Sequence, residues 1–368
     1  MTATTEARPA DRSARTAVLA IGTVVDLELR QRVRSTAWYV LLVIAALLLL
    51  GTTLLLLATA GMFGRDGGPQ AVSAVVFFVL LLGTLVTPAL SGGAINGDRD
   101  AGTLATTQVT LIRGWQLVLG KFLAAWTAAI AFLVIALPFL VVAAAFGGAD
   151  PAVLLTALGV TVLELGVIAA VGVGLSALIA RPIFSVVSTY LVVAALSIGT
   201  LVAFGLGGLA FPVTVTSTNE SYSQDAFDED GTVVNPVCDP PSTYEYSSPS
   251  YDHLWGLLAA NPYVVLADAV PGRFDASGGP DDAFAAIKVA ERAVQIPTPT
   301  RQYSSDCHPS RNTGQTDGSY SAQVLDRTVP TWFVGLLIHL VLAVLALGAA
   351  VRTVRTPARR LSRGTRIA

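Results

Sequence analysis

Apolar residues gather in six long runs, and most of the polar residues in the 368-residue chain lie between them. The runs sit near 36–60, 71–95, 119–146, 152–180, 183–211 and 330–351. Each reaches the roughly 20 residues that a helix rising about 1.5 Å per residue needs to cross a bilayer. The pattern predicts an all-α polytopic membrane protein with six transmembrane helices. The first run is too long for a signal-peptide core, and further runs follow it, so it reads as a span. Two stretches depart from the pattern. From Ala17 to Arg34, Val18, Ile21, Val24, Val25 and Leu29 recur near helical spacing, while Asp26, Glu28, Arg30, Arg32 and Arg34 supply a polar side. Such a helix lies in a membrane interface, its basic end near anionic lipid headgroups. A charged stop ahead of a span is the plainer reading of the same residues.

The second departure, 212–329, holds most of the chain's Pro, Tyr and Asp and both cysteines. A connection this long is either a functional domain or disorder. Its start, SYSQDAFDEDG, and patches such as PPSTYEYSSPS read as irregular. The stretch YDHLWGLLAANPYVVLADAV has helical spacing with a break at Asn261-Pro262. A mixed domain with a packed centre is expected between spans five and six.

Charge then gives orientation. Only 13% of residues are charged, about half the share of a soluble protein. Counted along the alternating connections, 16 basic and 6 acidic residues fall on one side of the membrane, and 7 basic and 18 acidic on the other. A net charge of −2 thus conceals two faces of opposite sign. The positive face is expected in the cytoplasm of a cell-membrane protein, with both termini inside. On this reading 1–16 is a cytoplasmic tail, 17–35 an interfacial helix and 36–211 spans one to five with a cytoplasmic segment at 96–118. An extracytoplasmic domain follows at 212–329, then the sixth span at 330–351 and a basic cytoplasmic tail at 352–368.

The most specific stretch is the island 96–121, NGDRDAGTLATTQVTLIRGWQLVLGK, between spans two and three. A lipid-exposed loop cannot lie in hydrocarbon, so the island belongs at a membrane face. It carries Asp98, Arg99 and Asp100, then Gly102-Thr103-Leu104, an apolar turn, and Arg113-Gly114-Trp115 before the next span. That order resembles the coupling segment of ABC-type export permeases of the second export class. In that family the more usual pattern has Glu-Arg-Glu before Gly-Thr and a Pro-containing run before the Trp; here Asp and Val109-Thr110-Leu111-Ile112 stand instead. ELRQRVRS ahead of the first span is similar to the family's elbow helix, and an outer domain before the last span is similar to its G-subfamily half-transporters.

The resemblance implies a permease subunit moving an amphiphilic or lipidic substrate outward. Two such subunits, identical or not, would enclose the path. Separate ABC-type ATPase subunits would bind ATP and Mg, with Asp98, Arg99, Asp100, Gly102, Thr103, Arg113, Gly114 and Trp115 meeting them. Spans two and five line the path in that family, which here implies Phe77, Phe78, Thr84, Ser188, Thr189, Ser197, Thr200 and Phe204. No cofactor, metal or nucleic acid is expected on this chain. Two other readings remain at this point, a receptor or assembly protein with a partner-binding outer domain, and a proton-coupled secondary transporter.

Several catalytic signals weaken on inspection. Leu90-Ser91-Gly92-Gly93-Ala94 resembles an ATPase signature, but the chain has no G-x-x-x-x-G-K-[ST] loop, so it reads as small residues gathered by chance at a helix end. Gly174-Leu175-Ser176 with His339 resembles an intramembrane protease pair, yet the two differ by about 20 Å in depth. Glu164, the only acid inside a span, lies within about 3 Å of His339 in depth. Intramembrane ionisable groups face protein or water, so a polar contact between helices is favoured over proton or cation handling. Cys238 and Cys307 lie on the expected oxidising side and are expected to pair. Closing a loop of about 70 residues would add roughly 4 kcal/mol on the chain-entropy model. A metal site from both cysteines, His253 and His308 lacks ligand spacing.

Overall fold

The computed structural model describes residues 9–62, 68–100, 112–228, 230, 232–234, 236–313 and 319–354, with side chains described from residue 15 and not at 60–62 or 319. A helix α1, Pro9–Val33, precedes α2, Thr36–Met62. Then come α3, Gly68–Ser91, the short α4, Asn96–Asp100, α5, Gly114–Gly147, and α6, Pro151–Leu178. The fifth long helix is α7, Pro182–Ala194, a π turn at Ala195–Gly199, and α8, Thr200–Ala210. The last is α13, Trp332–Val354. Six helices are long and apolar enough to span a membrane, starting at Thr36, Gly68, Gly114, Pro151, Pro182 and Trp332, close to the predicted edges. The protein is a multi-pass helical membrane protein.

Local chemistry sets the helix ends. Asp150 Oδ1 accepts from Ala152 N–H at 2.7 Å, and Pro151 takes the first helical position, where a missing N–H is harmless. Gly148 ends α5 at φ 61°, a left-handed conformation that favours glycine.

Two compact units form, Met1–Ser197 with Ala269–Pro271 and Gly335–Ala368, and Ile198–Asp268 with Gly272–Val334. In the first, α3 is central: 72% of its most apolar stretch is buried, against 17% for α2. Lipid tails are as apolar as Leu, so contact between spans depends on close fit. Small residues supply it. A Cβ on Gly172 of α6 would lie 2.0 Å from Ser91 Oγ of α3, and one on Gly174 would lie 2.7 Å from Ala346 Cβ of α13.

The second unit contains a three-stranded sheet, order β2-β1-β3. Strand β1, Pro212–Glu220, pairs antiparallel with β2, Ser242–Pro249, in a register running from Pro212↔Pro249 to Asn219↔Ser242. It pairs parallel with β3, Arg301–Ser305. Val215 and Ser217 point inward from β1 with the period of two that a pleated strand imposes. The irregular reading of PPSTYEYSSPS is corrected here, since β2 occupies it. The helical centre has the expected break: α9, Trp255–Ala259, stops before Asn261, and α10, Pro262–Ala269, follows. Asn261 Oδ1 caps that start by accepting from Tyr263 N–H at 2.9 Å. Next are α11, Ala283–Ala293, whose N-cap Asp282 accepts from Ala285 N–H at 2.7 Å, and α12, Ser319–Arg327. Cys238 and Cys307 form a disulfide, S–S 2.08 Å, tying the loop after β1 to the loop after β3.

Candidate coupling site

The predicted coupling residues begin where α3 ends, and α1 lies beside them. A Cβ on Gly120 would fall 2.7 Å from Val24 Cβ, so α1 meets α5 closely at that glycine. Val24 and Leu117 are buried together there with Ile112 against them. One turn beyond Val24 on α1 is Glu28, and the residue after Gly120 is Lys121. The Lys121 ammonium sits 2.5 Å from Glu28 Oε1 and 2.5 Å from Asp98 Oδ2. Its side chain is 2% exposed, against 15% for Glu28 and 31% for Asp98. Removing a cation from water costs several kcal/mol, which good geometry with opposite charges offsets. Lysine's compact charge with three donors on a flexible stem suits two carboxylates from different elements.

One further turn along α1, the Arg32 guanidinium donates from Nη2 to Leu90 O at 2.7 Å. Burial holds its pKa below the ordinary value, with Glu28 opposing. The turn from α3 into α4 is fixed by Ser176 of α6. Its hydroxyl accepts from Ile95 N–H at 2.8 Å and Asn96 N–H at 3.1 Å, and donates to Asn96 Oδ1 at 3.0 Å. Asn96 Nδ2 donates to Ile179 O at 3.0 Å, and Ser185 Oγ to Gly92 O at 2.6 Å. A Cβ on Gly92 would lie 2.8 Å from Val186 Cα. The LSGGA stretch is therefore no chance gathering. Its small residues let α3, α6 and α7 meet at one knuckle, and Ser176 is a cap within it.

These contacts divide the predicted coupling residues. Asp98 turns inward to Lys121, while Arg99, Asp100 and Arg113 are exposed. Gly114 and Trp115 are half-buried, and Arg113 N–H donates to Gln116 Oε1 at 2.7 Å as α5 begins. Gly102 and Thr103 lie outside the described residues. Of the predicted path residues, Thr84, Thr189 and Thr200 are buried. Phe77, Phe78, Ser188, Ser197 and Phe204 are half-buried. Several hydroxyls bond along their own helices, Thr84 to Leu81 O, Thr189 to Ser185 O and Ser197 to Val193 O, each at 2.8 Å. Thr200 instead accepts from Asn261 Nδ2 at 3.0 Å, and Phe204 stacks on Tyr251 with ring centroids 4.7 Å apart.

Glu164 and His339 meet, with Oε1 and Nδ1 2.9 Å apart and both side chains almost fully buried. Two clusters of the second unit were not read from sequence. Asp268 of α10 receives Arg292 Nε at 2.7 Å, Thr331 N–H at 2.7 Å and Trp332 N–H at 3.0 Å. Glu291, next to Arg292, is 2% exposed with no close hydrogen bond on either oxygen. Burial, opposed by the Thr331 hydroxyl and Arg292 and reinforced by the Asp268 charge, raises the Glu291 carboxyl to about 7. Glu220 is the opposite case. Hydrogen bonds from Ser305, His308 and Tyr303, at 2.6, 2.9 and 2.7 Å, hold it at about 2.

Lys121 and Glu28 also escaped sequence reading as a site. The usable signal is that Lys121 is one of two lysines in the chain and stands at the start of an apolar run. A lysine there must either reach the headgroups or find partners. Compared with known protein families and with curated proteins, the sequence matches none.

Proposed function

We propose that this chain is the membrane-spanning subunit of an ATP-driven exporter, working as a dimer with separate ATPase subunits. The observation that carries the reading is the arrangement around Lys121. The amphipathic α1, the short α4 and the start of α5 are bound into one polar knot at an end of the spans, with Arg99, Asp100 and Arg113 exposed beside it. That suits a coupling face: exposed rim charges provide docking, and the knot behind them links the docked segment to α1 and α5. On this reading α1 is an interfacial elbow and the polar knot faces the cytoplasm with both termini. The sheet-containing unit then carries the acidic extracytoplasmic segment, in keeping with the charge asymmetry and with a disulfide in an oxidising compartment. The apolar walls suit an amphiphilic or lipidic substrate.

The test is copurification from native membranes followed by charge reversal. An ATPase of the ABC type is expected to accompany the wild-type chain. Arg99→Glu with Asp100→Lys is expected to weaken that association by about tenfold or more, since like-charge contacts cost several kcal/mol. Undiminished association and ATP-driven transport in this double variant would refute the docking role. A proton-coupled carrier is the reading that Glu164 and His339 would favour. It requires transport that stops when the proton gradient is collapsed at constant ATP.

A further inference from the structure

We propose that Lys121 is the positioning residue of the coupling segment, and that Asp98 acts through Lys121 from inside the chain rather than by touching a partner. The proposal rests on the exporter reading for its consequence, but the clamp itself stands on geometry alone. Three elements distant in sequence converge on one ammonium: Glu28 from α1, Asp98 from α4 and Lys121 from α5. Lys121 is the most buried of the three. The neighbouring contact of Val24 on Gly120 fixes how far α1 can slide on α5.

The opposite side of α4 is held as well. Ser176 and Ile179 of α6 bind Asn96, two residues before Asp98. The short helix is thus fixed to α6 at its start and to α1 and α5 at its middle. A push on the exposed Arg99 and Asp100 cannot be absorbed by the turn alone. It is passed to α1 through the Lys121 ammonium and to α6 through Ser176. In this arrangement the acidic-basic-acidic triplet has two jobs: Asp98 anchors inward, while Arg99 and Asp100 face outward.

The test compares Lys121→Met, Lys121→Arg and the exchange pair Asp98→Lys with Lys121→Asp in the full-length chain in lipid nanodiscs. Hydrogen exchange is read separately over α1 and over 96–100. Lys121→Met is expected to raise exchange about tenfold or more in both segments while α6 stays protected, because two carboxylates lose their shared partner. Lys121→Arg should stay near wild type. The exchange pair re-forms the link to α4 but sets a carboxylate at position 121 against Glu28, so 96–100 should recover while α1 stays loose. Unchanged exchange in Lys121→Met, or loosening of α6 to the same extent, would overturn the clamp. If Lys121→Met does not accumulate, Glu28→Gln replaces it and should loosen α1 alone; loosening of neither segment would again overturn the proposal.

The second readout concerns coupling. With the copurified ATPase present, Lys121→Met should keep association and ATP hydrolysis but lose about tenfold in transport per ATP. Unchanged transport per ATP would overturn the positioning role even if exchange rises. If no ATPase accompanies the wild-type chain while the exchange pattern holds, the exporter reading fails and the clamp survives.

Discussion

In each of the two units a cation largely withdrawn from solvent lies near two carboxylates, and the two arrangements end differently. Lys121 reaches both Glu28 and Asp98 at 2.5 Å. Arg292 reaches Asp268 at 2.7 Å, but Glu291, its neighbour in sequence, forms no ion pair with it and no close hydrogen bond on either oxygen, and the opposing influence of Thr331 and Arg292 does not outweigh its burial. The cause is placement. Successive residues on a helix do not face each other, so Arg292 on α11 pairs directly with Asp268 across the unit and reaches Glu291 only as a more distant charge. The Lys121 partners come from separate helices that converge on its ammonium. The number of charges in a buried cluster therefore says little, and the elements that carry them decide which carboxylate is compensated. One cluster is a tie between helices. The other holds a carboxyl that burial keeps near neutrality.

Asp268→Ala is expected to have the largest effect. It strands the Arg292 charge and removes the acceptor for Thr331 and Trp332 N–H at once. Losing one partner of a buried pair costs about 3–5 kcal/mol, and the orphaned N–H groups place this case near the upper end, about 5 kcal/mol. We expect the sheet-containing unit to lose its fold while the spans stay inserted, seen as rapid trypsin cleavage at Arg292 and Arg301 in the full-length chain. Cleavage at the wild-type rate would show that the Asp268 cluster is dispensable.

Next comes the staple that only the sheet-containing unit has. Cys238→Ser opens the link across a sequence separation of 69 residues, which the chain-entropy model values at about 4 kcal/mol. Melting of the intact protein in detergent should show an earlier transition for that unit alone. A melt superimposable on wild type would mean that the sheet holds without it.

Part of this architecture was legible in advance, for physical reasons that differ by region. Lipid imposes length and apolarity, so the six spans could be read from hydrophobic runs. Depth arithmetic along two helices brought Glu164 and His339 to one level, and they meet. Strand β2 was missed because its Tyr244-Glu245-Tyr246 alternation is short and set among Ser, Thr and Pro, and both of its faces are largely exposed, so no apolar face marks it. Lys121 and its partners were missed because Glu28 lies 93 positions away in sequence. The LSGGA knuckle depends likewise on Ser176 and Ser185, both remote in sequence. Short-range pattern holds no record of such contacts.

Two carboxylates of the sheet-containing unit respond to pH in opposite senses. Glu291 has a folded pKa of about 7, above its ordinary 4.5, so the folded state binds its proton more tightly than the unfolded state does. Its contribution is full below about 4.5 and is lost as pH rises through 7, a change on the order of 3 kcal/mol by linkage. Glu220 runs the other way. Its folded pKa of about 2 means that its contribution is present above about 4.5 and lost as pH falls towards 2. Exchange in α11, corrected for intrinsic rate, should therefore quicken between pH 4.5 and 7, and Glu291→Gln should flatten that rise. A rise of equal size in the Gln variant would assign it to another group.

The smallest effect is expected at the third buried ionisable site, where one carboxylate meets one imidazole inside the spans. Glu164 Oε1 lies 2.9 Å from His339 Nδ1, and both residues are almost fully buried. A Gln amide can present either its oxygen or its NH2 group to Nδ1, so Glu164→Gln keeps a hydrogen bond whichever tautomer His339 adopts. Polar contacts between membrane helices average about 0.6 kcal/mol, so the substitution should cost under about 1 kcal/mol and, on the exporter reading, leave transport intact. Glu164→Leu is the contrasting variant, because it offers Nδ1 neither a donor nor an acceptor at that position. If Glu164→Gln assembles normally and yet abolishes transport, the carboxylate's charge or proton is required. The pair would then belong with the working groups of the protein rather than with the contacts that hold α6 to α13.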